Sequence, residues 1–145
     1  MAIGLLVALI VAPLLTSDQK TLFVGLVVFA SLLPDIDHRG SKINRLLPLT
    51  KYAARFFRHR GFFHSIFPPL IILGAAYFYD YFLIGQAIAV GYLSHLLSDS
   101  FTKLGVNYLY PLSQFRVMGF IEVGTIWESL LFAAVVMAIA TVVFL

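Results

Sequence analysis

The sequence predicts an all-α integral membrane protein, a helical bundle with about five transmembrane helices. The chain has 145 residues, which favours a single domain over 1–145. It is 61% hydrophobic with a mean hydropathy of +0.95. Only 12% of the residues are charged, whereas a soluble domain carries about 25%. The surplus apolar surface needs lipid to cover it. Cysteine is absent, which excludes disulfides and thiolate zinc sites.

Five apolar segments predict the helices, over residues 2–15, 21–33, 65–83, 84–99 and 119–145. A membrane-crossing helix needs about 20 residues, within a range of roughly 17–25. The third and fifth segments reach this length, and the fourth reaches it if it begins near Phe82. The first two are short, and the polar stretch Thr16–Lys20 predicts a turn that joins them into a hairpin.

Prolines set the ends of the second and third helices. Proline disfavours helical backbone at the residue before it, so the second helix is expected to end near Pro34. Proline is tolerated in the first turn of a helix, so Pro68 and Pro69 place the start of the third helix near Ser65.

Residues 34–64 carry seven of the ten basic residues, interleaved with apolar ones. This pattern predicts an amphipathic segment that lies in the headgroup region and binds membrane lipids. Loops 34–64 and 100–118 together hold nine basic residues, and the opposite side holds Lys20 alone. The positive-inside rule therefore predicts a multi-pass cell-membrane protein with a cytoplasmic N-terminus. Because the membrane accounts for the basic charge, we expect no nucleic-acid partner.

Three polar clusters stand out, namely Pro34–His38, His59–Ser65 and His95–Asp99, and they contain all four histidines. Each cluster falls at the end or the start of a predicted helix on the cytoplasmic side. This shared position predicts a metal site at the membrane–water boundary, with one or two divalent ions, zinc being preferred.

Each cluster offers side chains that bind metals. His95 and Asp99 are four residues apart and share a helical face, although a hydrogen-bonded polar pair is the alternative. Asp35 and Asp37 can point to one pocket if the backbone after Pro34 is extended, although they can equally mark only the end of a helix. The candidate ligands are Asp35, Asp37, His59, His64, His95 and Asp99.

Four further residues are candidates for supporting or catalytic roles. Arg60 lies between two histidines and is a candidate phosphate clamp, because guanidinium binds phosphate through two hydrogen bonds. Glu128 lies nine residues into the predicted fifth helix, about 13 Å along it, and is the candidate general base or a further ligand. His38 and Ser65 are candidates for positioning the ligands.

The strings Leu33–His38, His59–Ser65 and Gly91–Thr102 resemble the motifs of the YdjM family, also called DUF457. Phe63 stands where the family's middle motif, His-Arg-Gly-x-Thr-His-Ser, has threonine. Glu128, four residues after Gly124, matches the Gly-x-x-x-Glu of the last helix. The resemblance covers residues 1 to about 130 and implies a membrane-bound, metal-dependent hydrolase.

The chain departs from this family at its start, where members carry a histidine just before a stretch like Ala2–Ile10. Met1 stands near that position, and no histidine precedes His38. Either this member lacks the ligand or the chain begins at an internal methionine. The short first helix favours the second alternative.

We expect a hydrolase that acts on a lipid or lipid-linked phosphoester, because its site opens at headgroup depth among arginines. A non-enzymatic metal-binding protein, structural or a transporter, is the alternative. Transport is disfavoured because helices 1 to 4 have almost no polar residues at mid-membrane. A protein that organises anionic lipid without a metal is disfavoured by the histidine clusters. Substrate, metal count and oligomeric state are left open by the sequence.

Overall fold

The structure is a computed structural model that describes residues 1–37, 41, 43 and 61–144. Within these residues the chain forms five α-helices and no strand, so the all-α prediction is confirmed. The helices are α1 (Ala2–Val11), α2 (Ser17–Ala30), α3 (Phe67–Phe78), α4 (Phe82–Ser100) and α5 (Ile126–Phe144). The predicted interfacial segment falls largely on residues 38–60, which lie outside this description except for Ser41 and Ile43.

One helix in the described part of the chain, α5, is long and apolar enough to cross a membrane. The apolar stretches Ala2–Leu14 and Phe67–Phe78 are shorter. The prediction of five transmembrane spans therefore stays a prediction.

Most helix boundaries differ from the predicted ones, in α1, α3 and α4 as well as in α2 and α5. Helix α2 begins at Ser17, so residues 17–20, expected to lie in a turn, form its first turn, and the connection from α1 falls on residues 12–16. It ends at Ala30, because the chain tightens into a 3₁₀ turn over Leu33–Asp37 around Pro34. Helix α5 begins at Ile126 instead of residue 119.

Residues 101–125 fold back beneath the end of α4 instead of extending α5. Backbone bridges join Thr102 to Ile121 and Val106 to Val117. These bridges use backbone N–H and C=O groups that would otherwise form hydrogen bonds within a longer helix. Lys103 Nζ donates to Glu122 Oε2 at 2.7 Å. This hydrogen bond and the lysine charge hold the pKa of Glu122 below its usual range.

Helix α4 lies at the centre and packs against α1, α2 and α3. Small residues allow these helices to approach closely, as is common in membrane bundles. A Cβ at Gly91 would collide with the Val27 carbonyl oxygen of α2, and one at Gly85 would collide with Ala76 of α3. On α1, a Cβ at Gly4 would lie 2.9 Å from Ser94 Oγ.

Helix α5 packs against α1, and none of its described residues is buried. Trp127, Phe132 and Met137 are each at least 60% exposed, although their helix is almost entirely apolar. Such a surface is unfavourable in water and favourable in lipid. The end of α4 and the start of α5 lie at the same end of the bundle, which is where the polar clusters meet.

Candidate metal centre

Side chains from three separate segments meet at this end of the bundle. Asp35 lies on the 3₁₀ turn after α2, His64 on a 3₁₀ turn before α3, and His95 in the last two turns of α4. One ligand atom from each of these three residues lies within 4.8 Å of the other two. Asp35, His64 and His95 could therefore hold a metal ion together.

Asp99 brings a second carboxylate to the two histidines. Its Oδ2 lies 3.8 Å from the Nε2 atoms of both His64 and His95. Asp35 Oδ1 lies 3.8 Å from His64 Nε2 and 3.7 Å from His95 Nε2. The distance that separates each nitrogen from each oxygen is thus almost the same in all four pairs.

These distances fit an ion better than direct hydrogen bonds. A hydrogen bond between such atoms spans about 2.7–3.2 Å. Ligand atoms placed tetrahedrally at 2.0–2.2 Å from zinc are about 3.3–3.6 Å apart. The observed 3.7–3.8 Å between nitrogen and oxygen is close to the second range and exceeds the first.

A backbone carbonyl sets the orientation of the His95 ring. His95 Nδ1 lies 2.8 Å from the carbonyl oxygen of Ser31, just after α2. Because a carbonyl oxygen only accepts, Nδ1 carries the proton, and in the neutral ring the lone pair lies on Nε2. Most histidines that bind metals are held in this way by a second hydrogen bond.

The surroundings of His95 Nε2 favour a positive charge next to this atom. This atom is buried and has no hydrogen-bond partner within the described ranges. Its lone pair faces carboxylate oxygens of Asp35 and Asp99, which repel it electrostatically. A metal ion between them would convert this repulsion into coordination.

The turn that carries His64 is tied to its neighbours by hydrogen bonds. Tyr92 of α4 donates its hydroxyl to the Phe63 carbonyl at 2.6 Å. The Ser65 hydroxyl donates to the Phe62 carbonyl at 2.7 Å, and it accepts from the Phe67 amide at 3.4 Å. Ser65 thus shapes the turn through the backbone. Tyr92 and His95 are three residues apart on α4, so one helix positions both histidines.

A cavity of about 550 Å³ adjoins this cluster. Asp35 is 37% exposed and His64 only 1% exposed, so access to the cluster is from the Asp35 side. The residues that line the cavity include Asp35, His95, Ser98 and Glu128 together with apolar residues of α1 and α5.

Glu128 lines this cavity from the first turn of α5 and does not lie deep within the helix. Since α5 begins at Ile126, the expectation that Glu128 lies nine residues into it is wrong. Its Oε2 accepts a hydrogen bond of 2.6 Å from the Gly124 amide, whose residue has a φ of +85°. The carboxylate therefore also stabilises the start of the helix.

The structure brings together four of the predicted ligands, Asp35, His64, His95 and Asp99. His38, His59 and Arg60 lie outside the described residues, as does the side chain of Asp37. The backbone after Pro34 forms a 3₁₀ turn, so the expectation of an extended segment is wrong. The Ser31 carbonyl was not predicted, because a backbone group carries no sequence signal.

A sequence model described as "YdjM inner membrane protein" matches residues 1–145. The chain is 37% identical over 106 residues to "Inner membrane protein YdjM" of Escherichia coli (strain K12). The aligned region covers 68% of this chain and 54% of the relative. The protein of that name from Shigella flexneri has the same figures.

A third relative is "Uncharacterized protein YvsG" of Bacillus subtilis (strain 168). It is 34% identical over 112 residues, which covers 74% of this chain and 69% of that protein. The match thus spans about half the length of the two YdjM relatives and about two thirds of the third. No solved structure matches the chain.

Proposed function

The chain belongs to the YdjM family of inner membrane proteins, and from this premise we propose that it is a metal-dependent hydrolase of lipid or lipid-linked phosphoesters at the cytoplasmic membrane interface. The observation that carries the proposal is a cluster of two histidines and two carboxylates beside an open cavity. The membrane location follows from the family. The metal, the reaction and the substrate are the proposal.

The donor set favours zinc in a catalytic site. Structural zinc sites are usually closed and contain cysteine, whereas catalytic zinc keeps one position open beside three protein ligands. This chain has no cysteine. Asp35, His64 and His95 would supply the three ligands, and Asp99 would bind the same ion or a second one. The cavity offers space for water and substrate on the Asp35 side.

A divalent ion held by Asp35, His64 and His95 would supply a Lewis acid that activates water and stabilises negative charge on the phosphoester. The protein residues position and move the remaining groups. The Ser31 carbonyl keeps the proton of His95 on Nδ1, so that the lone pair of Nε2 faces the cluster and is available to bind the ion. Glu128 lines the same cavity and, as a carboxylate, would accept the proton that the attacking water loses and return it to the alcohol that leaves as the phosphoester bond breaks.

Position in the membrane favours a lipid phosphoester as substrate. The cluster lies where one end of the bundle meets the start of the apolar helix α5, which corresponds to headgroup depth. Arg60 remains the proposed phosphate clamp, because it lies between His59 and His64 in the sequence.

The alternative is a metal-binding membrane protein without catalysis. The hydrogen bond between Glu128 Oε2 and the Gly124 amide favours it, because it gives this glutamate a structural task. Under this alternative, Glu128 affects only stability.

The Glu128→Gln variant separates the two functions. The amide oxygen of glutamine can still accept from Gly124, so the start of α5 is preserved, but glutamine cannot take up a proton. We expect zinc content to stay near that of the native protein and turnover of a phospholipid to fall about 10²–10⁴-fold. His95→Ala is expected to lose zinc and turnover together.

The matched control is Glu122→Gln, which removes a carboxylate that is exposed and paired with Lys103, outside the cavity. It should leave zinc content and turnover unchanged. Undiminished turnover in Glu128→Gln removes this residue from the mechanism. A native protein that binds zinc and hydrolyses no phosphoester contradicts the hydrolase and favours the alternative.

A further inference from the structure

The cavity beside the metal cluster has two chemically different ends. Its polar end is lined by Ser31, Asp35, His95, Ser98 and Glu128. Its other end is lined by Leu131, Phe132 and Val135, which follow Glu128 along α5. Such a division suits an amphiphile, with the charged group at the cluster and a hydrocarbon chain at the apolar end.

The residues of α5 that line the cavity form one continuous stripe. Glu128, Leu131, Phe132 and Val135 occupy positions i, i+3, i+4 and i+7, so their side chains lie on one face of the helix. From Glu128 to Val135 the stripe is about 10 Å long, at a rise of 1.5 Å per residue. A hydrocarbon chain that follows the stripe therefore runs along the axis of the apolar helix, away from the polar end.

The surroundings of the stripe identify the occupant. Helix α5 is long and apolar enough to cross a membrane, and none of its described residues is buried in the protein. Phe132 lines the cavity and is still 60% exposed, so the apolar end opens on the surface that lipid covers. The volume of about 550 Å³ lies within the range of about 300–1,000 Å³ found for small-ligand cavities.

We infer that the cavity takes one hydrocarbon chain of a phosphate-bearing membrane lipid, which enters sideways from the bilayer past the exposed Phe132 of α5. The inference rests on the proposed function for the identity of the headgroup. It adds that water-soluble phosphoesters are not the substrates and that Leu131, Phe132 and Val135 determine the preference for a chain.

The test uses the full chain in lipid nanodiscs and a dodecyl phosphate that carries a photoreactive diazirine near the end of its chain. Labelled residues are located by mass spectrometry. We expect labelling of Leu131, Phe132 and Val135 to saturate, and to fall about ten-fold or more when unlabelled dodecyl phosphate is in excess. Inorganic phosphate, which shares only the headgroup, should leave it unchanged.

Two tryptophan substitutions provide the matched pair. Leu131→Trp fills the cavity and should abolish the saturable labelling. Leu130→Trp places the same side chain at the same depth on the opposite face of α5, where Leu130 is 53% exposed, and should preserve it. Thermal unfolding of both variants checks that they fold.

Several results would overturn the inference. Equal labelling of Leu131 and Leu130 indicates bulk lipid and no site, and equal loss in both variants removes the role of the stripe. Competition by inorganic phosphate as effective as that by dodecyl phosphate means that the chain is not bound. Hydrolysis of the same lipid is measured separately, so saturable labelling without turnover supports the cavity and contradicts only the hydrolase.

Discussion

Both nitrogens of the His95 ring face oxygen atoms. The Ser31 carbonyl binds the protonated Nδ1, and carboxylate oxygens of Asp35 and Asp99 lie 3.7 and 3.8 Å from Nε2. A histidine that served only to fill space would not need two carboxylates at this distance. His95, Asp35 and Asp99 would all coordinate a cation that lay between them.

Metal removal tests this arrangement. A ligand that binds only the folded state stabilises it by about 2.7 kcal/mol when its concentration is 100 times its dissociation constant. We expect EDTA to lower the Tm of the native protein and added Zn²⁺ to restore it, as measured by thermal unfolding in detergent. His95→Ala should show neither effect.

Gln114→Ala, an exposed change in the loop after α4, is the control and should respond to EDTA as the native protein does. A native Tm that is the same with EDTA and with Zn²⁺ would mean that no ion is bound at this cluster.

At the scale of helices, the junction of α2 and α4 assembles the site. Gly91, His95 and Asp99 are each four residues apart and lie on one face of α4. Gly91 lets this face approach the Val27 carbonyl of α2 closely, and the Ser31 carbonyl lies one turn further along. The close approach of the two helices therefore determines the hydrogen bond that orients His95.

Gly91→Ala should weaken zinc binding as well as the fold. Its Cβ would collide with the Val27 carbonyl and lie 2.9 Å from Ala30 Cβ, so α2 and α4 must separate. Overpacking of this kind costs about 1–3 kcal/mol. We expect a lower Tm and at least a several-fold loss of zinc affinity, measured by titration against a chelating dye.

Gly25→Ala is the matched control, because an added Cβ on this part of α2 meets nothing within 4 Å. It should bind zinc normally and be equally or slightly more stable, since alanine favours a helix over glycine by about 1 kcal/mol. Native zinc affinity in Gly91→Ala would show that the junction does not position His95.

For the whole molecule, the orientation in the membrane decides which compartment the site faces. The basic residues concentrate on the side of the polar clusters, which predicts a cytoplasmic site. The loop over 101–125 lies at this end, and the connection between α1 and α2 lies at the other. Because the chain has no cysteine, single-cysteine variants report on one position each.

We expect Gln19→Cys to react with a membrane-impermeant maleimide in intact cells, and Gln114→Cys to react only after the cells are permeabilised. Both residues are exposed, so accessibility within the protein does not limit the reaction. The reverse pattern would place the site on the outer face. Reaction of both positions in intact cells would contradict a membrane between them.

Local chemistry let the sequence predict the helical class, the pairing of His95 with Asp99 and the candidate ligands. Apolar segments, spacing of three and four residues and the position of basic residues all act over short distances along the chain. The same local signals failed at residues 119–125, because the backbone of Gly119 and Ile121 pairs with that of residues 101–103 instead of forming helical hydrogen bonds.

Only the tertiary structure determined how Asp35, His64 and His95 meet, and that a backbone carbonyl orients one of them. His95 and Ser31 are 64 residues apart, and their hydrogen bond exists because two helices pack through glycine and alanine. The cavity likewise arises from the packing of α5 against α1. Distances between side chains that are remote in the sequence depend on how whole helices pack, and they cannot be derived from the spacing of residues along the chain.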